Sequence, residues 1–158
     1  MLSALSMYNW LTVYADNGVS RTMAAYVAGE FSPSRYRKRL MEKGHMIWVV
    51  EHRRRLAGFA EVLLRAPHKA TTAATSIDKF YLHSAFDDSE TRTALFQHVM
   101  KELDKYNITN VWLAVWQKQK DRLQFYDTLG FQQVGEFFLE IDGAHLTHYV
   151  LDNVPSTP

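Results

Sequence analysis

The side chains of this chain that can move a proton are imidazoles, carboxylates and phenols. It has no cysteine, which excludes thiolate nucleophiles and zinc sites built on sulfur. Seven histidines are available as proton carriers. His45, His52, His98, His145 and His148 have no partner fixed by spacing and read as surface or internally satisfied residues, whereas His83 closes the run SIDKFYL. Asp78, inside that run, reads from its neighbours alone as an exposed strand residue. Asp87-Asp88-Ser89-Glu90-Thr91-Arg92 sets three carboxylates at the start of a helix, and the Asp87-to-Glu90 spacing matches a capping box in which side-chain oxygens take up the first helical amides. Tyr126 shares a helical face with Leu123 and Leu129, the pattern of a core aromatic whose hydroxyl finds a backbone partner. Arg53-Arg54-Arg55 is a solvated hairpin turn, and Trp112 and Trp116 alternate with Leu113 and Val115 as strand packing rather than as base-stacking residues.

These residues sit on a chain of 158 residues, the size of one domain, expected over residues 1–153 with a frayed tail at 154–158. Formal net charge is +1 with basic residues spread evenly, so nucleic acid is not an expected partner. The opening MLSALSMYNWLTVYA has no basic leader, and Leu2, Leu5, Tyr8 and Leu11 fall at helical spacing before Asp16-Asn17-Gly18. An amphipathic helix is expected there, in a cytoplasmic protein with no membrane span. Ser20 and Ser32-Pro33 cap two further helical stretches, the second ending at Gly44. MIWVVEH and LAGFAEVLLR form a hairpin, and Pro67 to Thr75 is a loop. Strand Ile77–Leu82 is followed by a helix with Leu95, Val99, Leu103 and Tyr106 on one stripe, a strand from Asn110 to Trp116 and a short helix holding Tyr126. A terminal hairpin then turns at Asp142-Gly143.

The run W-x-x-V-W followed by F-Y-x-x-L-G-F, at Trp112–Trp116 and Phe125–Phe131, carries a family resemblance. Together with FSPSRYRKRL and MIWVVEH, it makes residues 31–151 resemble the GCN5-related N-acetyltransferase (GNAT) superfamily, and bacterial spermidine/spermine-type acetyltransferases in particular. The resemblance implies an α/β (α+β) fold: a mixed, mostly antiparallel central sheet with two splayed parallel strands and helices on both faces. It also implies acetyl-CoA as cosubstrate, no metal, and direct transfer to an amine. Tyr126 matches the family's general acid. Asp78 is the first candidate for the base that removes the amine proton, and His83 the second. Coenzyme A contacts fall on Tyr81 and Leu82 in the strand, with the Leu82 amide near the thioester carbonyl. Further contacts fall on Asp88, Ser89, Glu90, Thr91, Arg92 and Thr93 in the diphosphate loop, and on Gln119 and Arg122 at the short helix.

Four departures from the family pattern have physical consequences. The family usually has Q/R-x-x-G-x-G/A where the diphosphate meets the helix N-terminus, because glycine lets the backbone approach phosphate. Here acids stand instead, and like charges about 4 Å apart repel by about 1 kcal/mol in water and about 4 at a surface-like dielectric. Arg92 or Arg122 is the available compensation. Gln119 replaces a usual asparagine, and Arg122 replaces a small residue. No strand precedes the first helix, which leaves MIWVVEH as an edge for a homodimer partner or a C-terminal strand to cover. The expected activity is acetyl transfer to a primary amine of a small, polyamine-like molecule or of a peptide. Asp16, Glu30, Glu42 and Glu61 are the acids available to a polyamine. The alternative is a GNAT-fold module that binds a ligand or a protein without catalysis.

Overall fold

The computed structural model describes residues 1–155; residues 156–158, the end of the tail expected to fray, lie outside the described residues. Three helices come first: α1 (Leu2–Tyr14), α2 (Arg21–Glu30) and α3 (Pro33–Met41). Ser20 and Ser32 cap the second and third, accepting from the Met23 and Arg35 amides at 3.1 and 3.3 Å. Strands β1 (His45–His52) and β2 (Arg55–Leu63) follow. Their turn places Arg53 and Arg54 in the left-handed region at φ 47° and 64°. Next come β3 (Ser76–Leu82), α4 (Ser89–Asp104), β4 (Trp112–Trp116) and α5 (Lys120–Thr128). The terminal hairpin pairs β5 (Gln132–Ile141) with β6 (Ala144–Asp152), turning at Asp142-Gly143 with φ 51° and 75°.

The six strands form one sheet in the order β1-β2-β3-β4-β6-β5, antiparallel everywhere except between β3 and β4. Helices cover both faces, as expected. On one face Leu95, Val99 and Leu103 of α4 and Tyr126 of α5 pack on Ala60, Val62 and Leu113. On the other, Leu5 and Trp10 of α1, Val27 of α2 and Tyr36 of α3 pack around Phe59.

What positions the site is the way β3 leaves β4. Ser76↔Trp112 is the only register pair between them among the described residues, with the Trp112 amide donating to the Thr75 carbonyl at 2.9 Å. Beyond that pair the strands diverge, so their facing backbone edges are not satisfied by each other. A bulge accompanies the split. Glu61 pairs with Lys79 but Val62 with Ile77, which makes Asp78 the extra residue on β3. Bulges bend a strand and re-aim a side chain, and Asp78 is the exposed residue in an otherwise covered strand.

Several expectations are corrected. The stripe Leu2, Leu5, Tyr8 and Leu11 is not the buried face of α1: Leu5, Ser6, Asn9 and Trp10 are buried. Ser6 and Asn9 tolerate burial by donating back to the Leu2 and Leu5 carbonyls at 2.9 and 3.0 Å. Tyr8 turns outward to stack on His83. Tyr106 lies past the end of α4 and is exposed. Among the described residues no C-terminal strand covers the outer edge of β1, because β5 and β6 pair at the opposite side of the sheet.

Candidate active site

The split between β3 and β4 is a cleft of about 340 Å³, floored by Ile77 to Tyr81 and Leu113 to Val115. It joins the two faces of the sheet. Gln119, Arg122 and Tyr126 approach from the α5 side; Trp10 and Tyr14 of α1 and Tyr26 and Glu30 of α2 approach from the other.

Tyr126 is 4% exposed, ringed by Phe80, Phe125 and Phe131. Its own backbone carbonyl accepts from the Leu129 and Phe131 amides at 3.0 and 3.1 Å, which closes α5 and fixes the residue's place. Among the described residues no hydrogen bond holds its hydroxyl, so the backbone partner expected for a plain core tyrosine is missing. Burial pushes this hydroxyl well above the ordinary tyrosine pKa, while Arg122 and Arg92 pull it back.

Asp78 reaches the same cleft, and its carboxylate is ion-paired with Lys79. Lys79 is 7% exposed and also lies 3.0 Å from Oε2 of Glu61, which is fully buried. Burial alone would lower the Lys79 pKa, but Asp78 and Glu61 outweigh it and raise it. Glu61 also faces Arg39 at 3.7 Å and His45 at 3.4 Å, so a buried ionic cluster anchors the strand that carries Asp78.

At the start of α4 the acidic loop is arranged differently from the expected capping box. Asp88, not Asp87, is the N-cap: its carboxylate accepts from the Thr91 amide at 2.7 Å and from the Thr91 hydroxyl at 3.1 Å. That amide contact lowers the Asp88 pKa. Asp87 turns inward and accepts from Arg92 Nε and Arg122 Nη2, each at 2.7 Å. Arg92 further donates to Asp121 at 3.0 Å. The repulsive cluster is therefore compensated by two guanidiniums bridged by one carboxylate. Nη1 of Arg122 is buried and has no hydrogen-bond partner, on a side chain that lines the cleft.

Five of the twelve expected site residues line the cleft: Tyr126, Asp78, Tyr81, Gln119 and Arg122. Leu82 is not among the lining residues; its side chain packs on the α4 side of the sheet. Asp88, Ser89, Glu90, Thr91, Arg92 and Thr93 form the first turns of α4, outside the cleft lining, and Arg92 connects to it through Asp87 and Arg122. His83, the second base candidate, accepts from the Ala85 amide at 3.2 Å and lies outside the lining. Of the four acids available to a polyamine, only Glu30 lines the cleft, and it is paired with Arg35 and Arg39. Sequence reasoning does not find Trp10, Tyr14, Tyr26, Phe137 or the inward role of Asp87, and His148, expected to be a surface or internally satisfied residue, lines the cleft. The i, i+4 spacing of Trp10 and Tyr14, which puts both rings on one side of α1, was the available signal. Among the described residues no cluster of three or more histidines or acids could hold a metal, and no helix is long and apolar enough to cross a membrane.

This cleft, opened by one parallel strand pair inside an antiparallel sheet, defines the class. The family model described as acetyltransferase (GNAT) domain matches residues 11–152, and the chain belongs to that family. Solved structures agree on the fold. PaiA N-acetyltransferase from Thermoplasma acidophilum in complex with coenzyme A superposes with a TM-score of 0.72 at 15% identity, over 96% of this chain and 89% of that one. The spermidine/spermine N-acetyltransferase of Vibrio cholerae gives 0.61 at 14% identity, covering 95% and 87%. An aminoglycoside 6′-acetyltransferase gives 0.61 at 17%, covering 99% and 90%. The spermidine/spermine enzyme thus stands no nearer than the aminoglycoside enzyme.

Proposed function

We propose that the chain is an N-acyltransferase that moves an acetyl group from acetyl-CoA to the primary amine of a small molecule by direct transfer. One observation carries this reading: β3 and β4 part after a single register pair, and the gap holds both Tyr126 and Asp78. The open backbone edges suit the amide-bearing pantetheine arm, and the coenzyme A complex of the Thermoplasma structure supports the choice of ligand. Acetyl-CoA supplies the thioester. Arg122, with its unpartnered Nη1, and Arg92 behind it take the diphosphate that glycine-loop amides bind elsewhere in the family.

Asp78, aimed by the bulge, receives the amine proton directly or through a water, which leaves a neutral amine to attack. A bond forms from nitrogen to the carbonyl carbon and the carbon–sulfur bond breaks. Tyr126 then acts at sulfur, and the sign of its pKa defines how. A reference phenol at roughly 10 already holds its proton more tightly than a thiol at roughly 8.5, so complete transfer to a thiolate runs uphill. Burial of Tyr126 steepens that climb. Its part in the general-acid role is therefore to donate a hydrogen bond to the departing sulfur, whose final proton comes from the amine or solvent. The test is release of free thiol from acetyl-CoA in the presence of a primary amine, with Tyr126→Phe and Asp78→Asn each slowing turnover while acetyl-CoA still binds.

The alternative, a GNAT-fold module without catalysis that serves ligand binding or protein interaction, is favoured by one feature. Asp87 already occupies both arginines, and Asp88 occupies a helix amide. Absence of acetyl-CoA binding at millimolar concentration selects that reading. We further propose a homodimer that pairs through the outer edge of β1, where Val49 is exposed. Sedimentation of a monomer at high protein concentration refutes this.

A further inference from the structure

We propose that the acceptor is a small monoamine carried on a planar, apolar ring, not a polyamine; this narrows the substrate of the N-acyltransferase reading above and rests on it. The observation is an unbroken band of rings across the cleft face opposite Arg122. Tyr26 of α2 lies 5.0 Å from Trp10, and Trp10 lies 4.9 Å from Tyr14, both on α1. Tyr14 lies 5.9 Å from His148 of β6, which stacks on Phe137 of β5 at 5.3 Å and 13°. All five line the cleft, and they come from four separate elements, so the band is a product of the fold and not of one helix's packing face.

Its inner rings are fixed. Trp10 is 4% exposed, and the Tyr14 hydroxyl donates to His148 Nε2 at 2.7 Å while His148 Nδ1 donates to the Leu146 carbonyl at 2.9 Å. The outer rings are open, with Tyr26 43% and Phe137 38% exposed. Rings held at a cleft mouth with free faces provide stacking surface at little entropic cost.

Charge separates this from a polyamine site. A polyamine brings several ammonium groups and needs an excess of acids along its length. Here Glu30 and Asp78 are matched by Lys79 and Arg122 within the same lining, and both acids are already ion-paired. The cleft therefore accommodates one amine, delivered to Asp78, which takes its proton, with its ring laid along the aromatic band.

The experiment compares 2-phenylethylamine with spermidine, measuring binding by calorimetry and acetyl transfer from acetyl-CoA on the wild-type chain, Tyr26→Ala and Phe137→Ala. Both positions are surface-exposed, so neither change empties the core. The expected result is a kcat/KM for 2-phenylethylamine at least about tenfold above that for spermidine. Each variant should raise the KM for the ring-bearing amine by about 3- to 10-fold, the worth of one aromatic contact, and change that for spermidine by less than about twofold. Equal or better use of spermidine overturns the inference, as does an unchanged KM in both variants. If 2-phenylethylamine binds and Tyr26→Ala weakens that binding but no amine is acetylated, the acyltransferase reading fails while the aromatic site stands. If it does not bind at millimolar concentration, the aromatic site fails whether or not acetyl-CoA binds.

Discussion

Replacing Asp87 with asparagine should loosen the folded protein and tighten its grip on acetyl-CoA. The Asp87 carboxylate accepts from Arg92 and Arg122, each at 2.7 Å, with its side chain 22% exposed and the two arginines 14% and 12% exposed. Hydrogen bonds to charged groups contribute about 1.5–3 kcal/mol each, and partial solvent screening reduces the loss from this pair to about 1–3 kcal/mol in total. Affinity moves the other way, because a diphosphate and Asp87 compete for the same guanidiniums. Like charges about 4 Å apart repel by about 1 kcal/mol in water and about 4 at a surface-like dielectric, and a partly exposed site lies between these limits. Relief of about 1–2.5 kcal/mol predicts a dissociation constant about 5- to 70-fold lower in Asp87→Asn, with the gain shrinking as salt rises. Arg122→Ala should act oppositely, weakening acetyl-CoA by about 10- to 100-fold through loss of a charge-assisted contact. Calorimetry at low and high salt, with a thermal melt of each variant, reads all of this. Weaker acetyl-CoA binding by Asp87→Asn would refute the reasoning, since Asp87 would then be holding the arginines in place for the ligand and not competing with it.

Tyr126→Phe should lower kcat by about 10- to 1,000-fold while leaving the acetyl-CoA dissociation constant within about twofold, the pattern for a donor used at the transition state; an undiminished kcat removes Tyr126 from the mechanism. Glu61→Gln removes the anion that Lys79 and Arg39 share, and because Lys79 keeps Asp78 and Arg39 keeps Glu30 it should cost about 1–3 kcal/mol in urea unfolding. A loss below about 1 kcal/mol would show that the ionic cluster does not anchor β3. Stability should fall on both sides of neutrality. His148 is held below its ordinary value by burial, so its contribution is complete above about pH 6.5 and is lost as pH drops, when only the unfolded chain takes up the proton readily. Tyr14 and Tyr126 are raised by burial, so theirs is complete below about pH 10 and declines above it. Melting curves from pH 5 to 11 check both limbs, and a His148→Phe variant that keeps the full acid limb contradicts the first.

Most of the architecture was legible because it rests on local signals. Asp142-Gly143 and the Arg53-Arg54 pair turn where a period-two apolar pattern breaks, and Ser20 and Ser32 cap where hydroxyls precede helical runs. Tyr126, Asp78 and Arg122, the candidates to which the family resemblance points, all line the cleft. What escaped depends on distant partners. Asp87 and Asp88 are adjacent acids with equal claim to the cap, and Arg122, 35 positions away, joins Arg92 in holding Asp87 inward. The buried side of α1 includes Ser6 and Asn9, which a hydrophobic pattern scores as solvent-facing until their bonds to the helix's own carbonyls are known. The aromatic band joins residues from Trp10 to His148, and no window of sequence holds them together. The bulge at Asp78 arises from register with β2, which is invisible in the strand itself.

The most direct test is amide NMR of the wild-type chain titrated with acetyl-CoA, following the backbone of residues 77–81 and 113–115. Saturable shifts concentrated on these two strands, accompanied by the Arg122 side-chain signal, are the predicted result. Unmoved amides there at millimolar acetyl-CoA, or shifts confined to another surface, would contradict the assignment of the cleft between β3 and β4 as the acetyl-donor site.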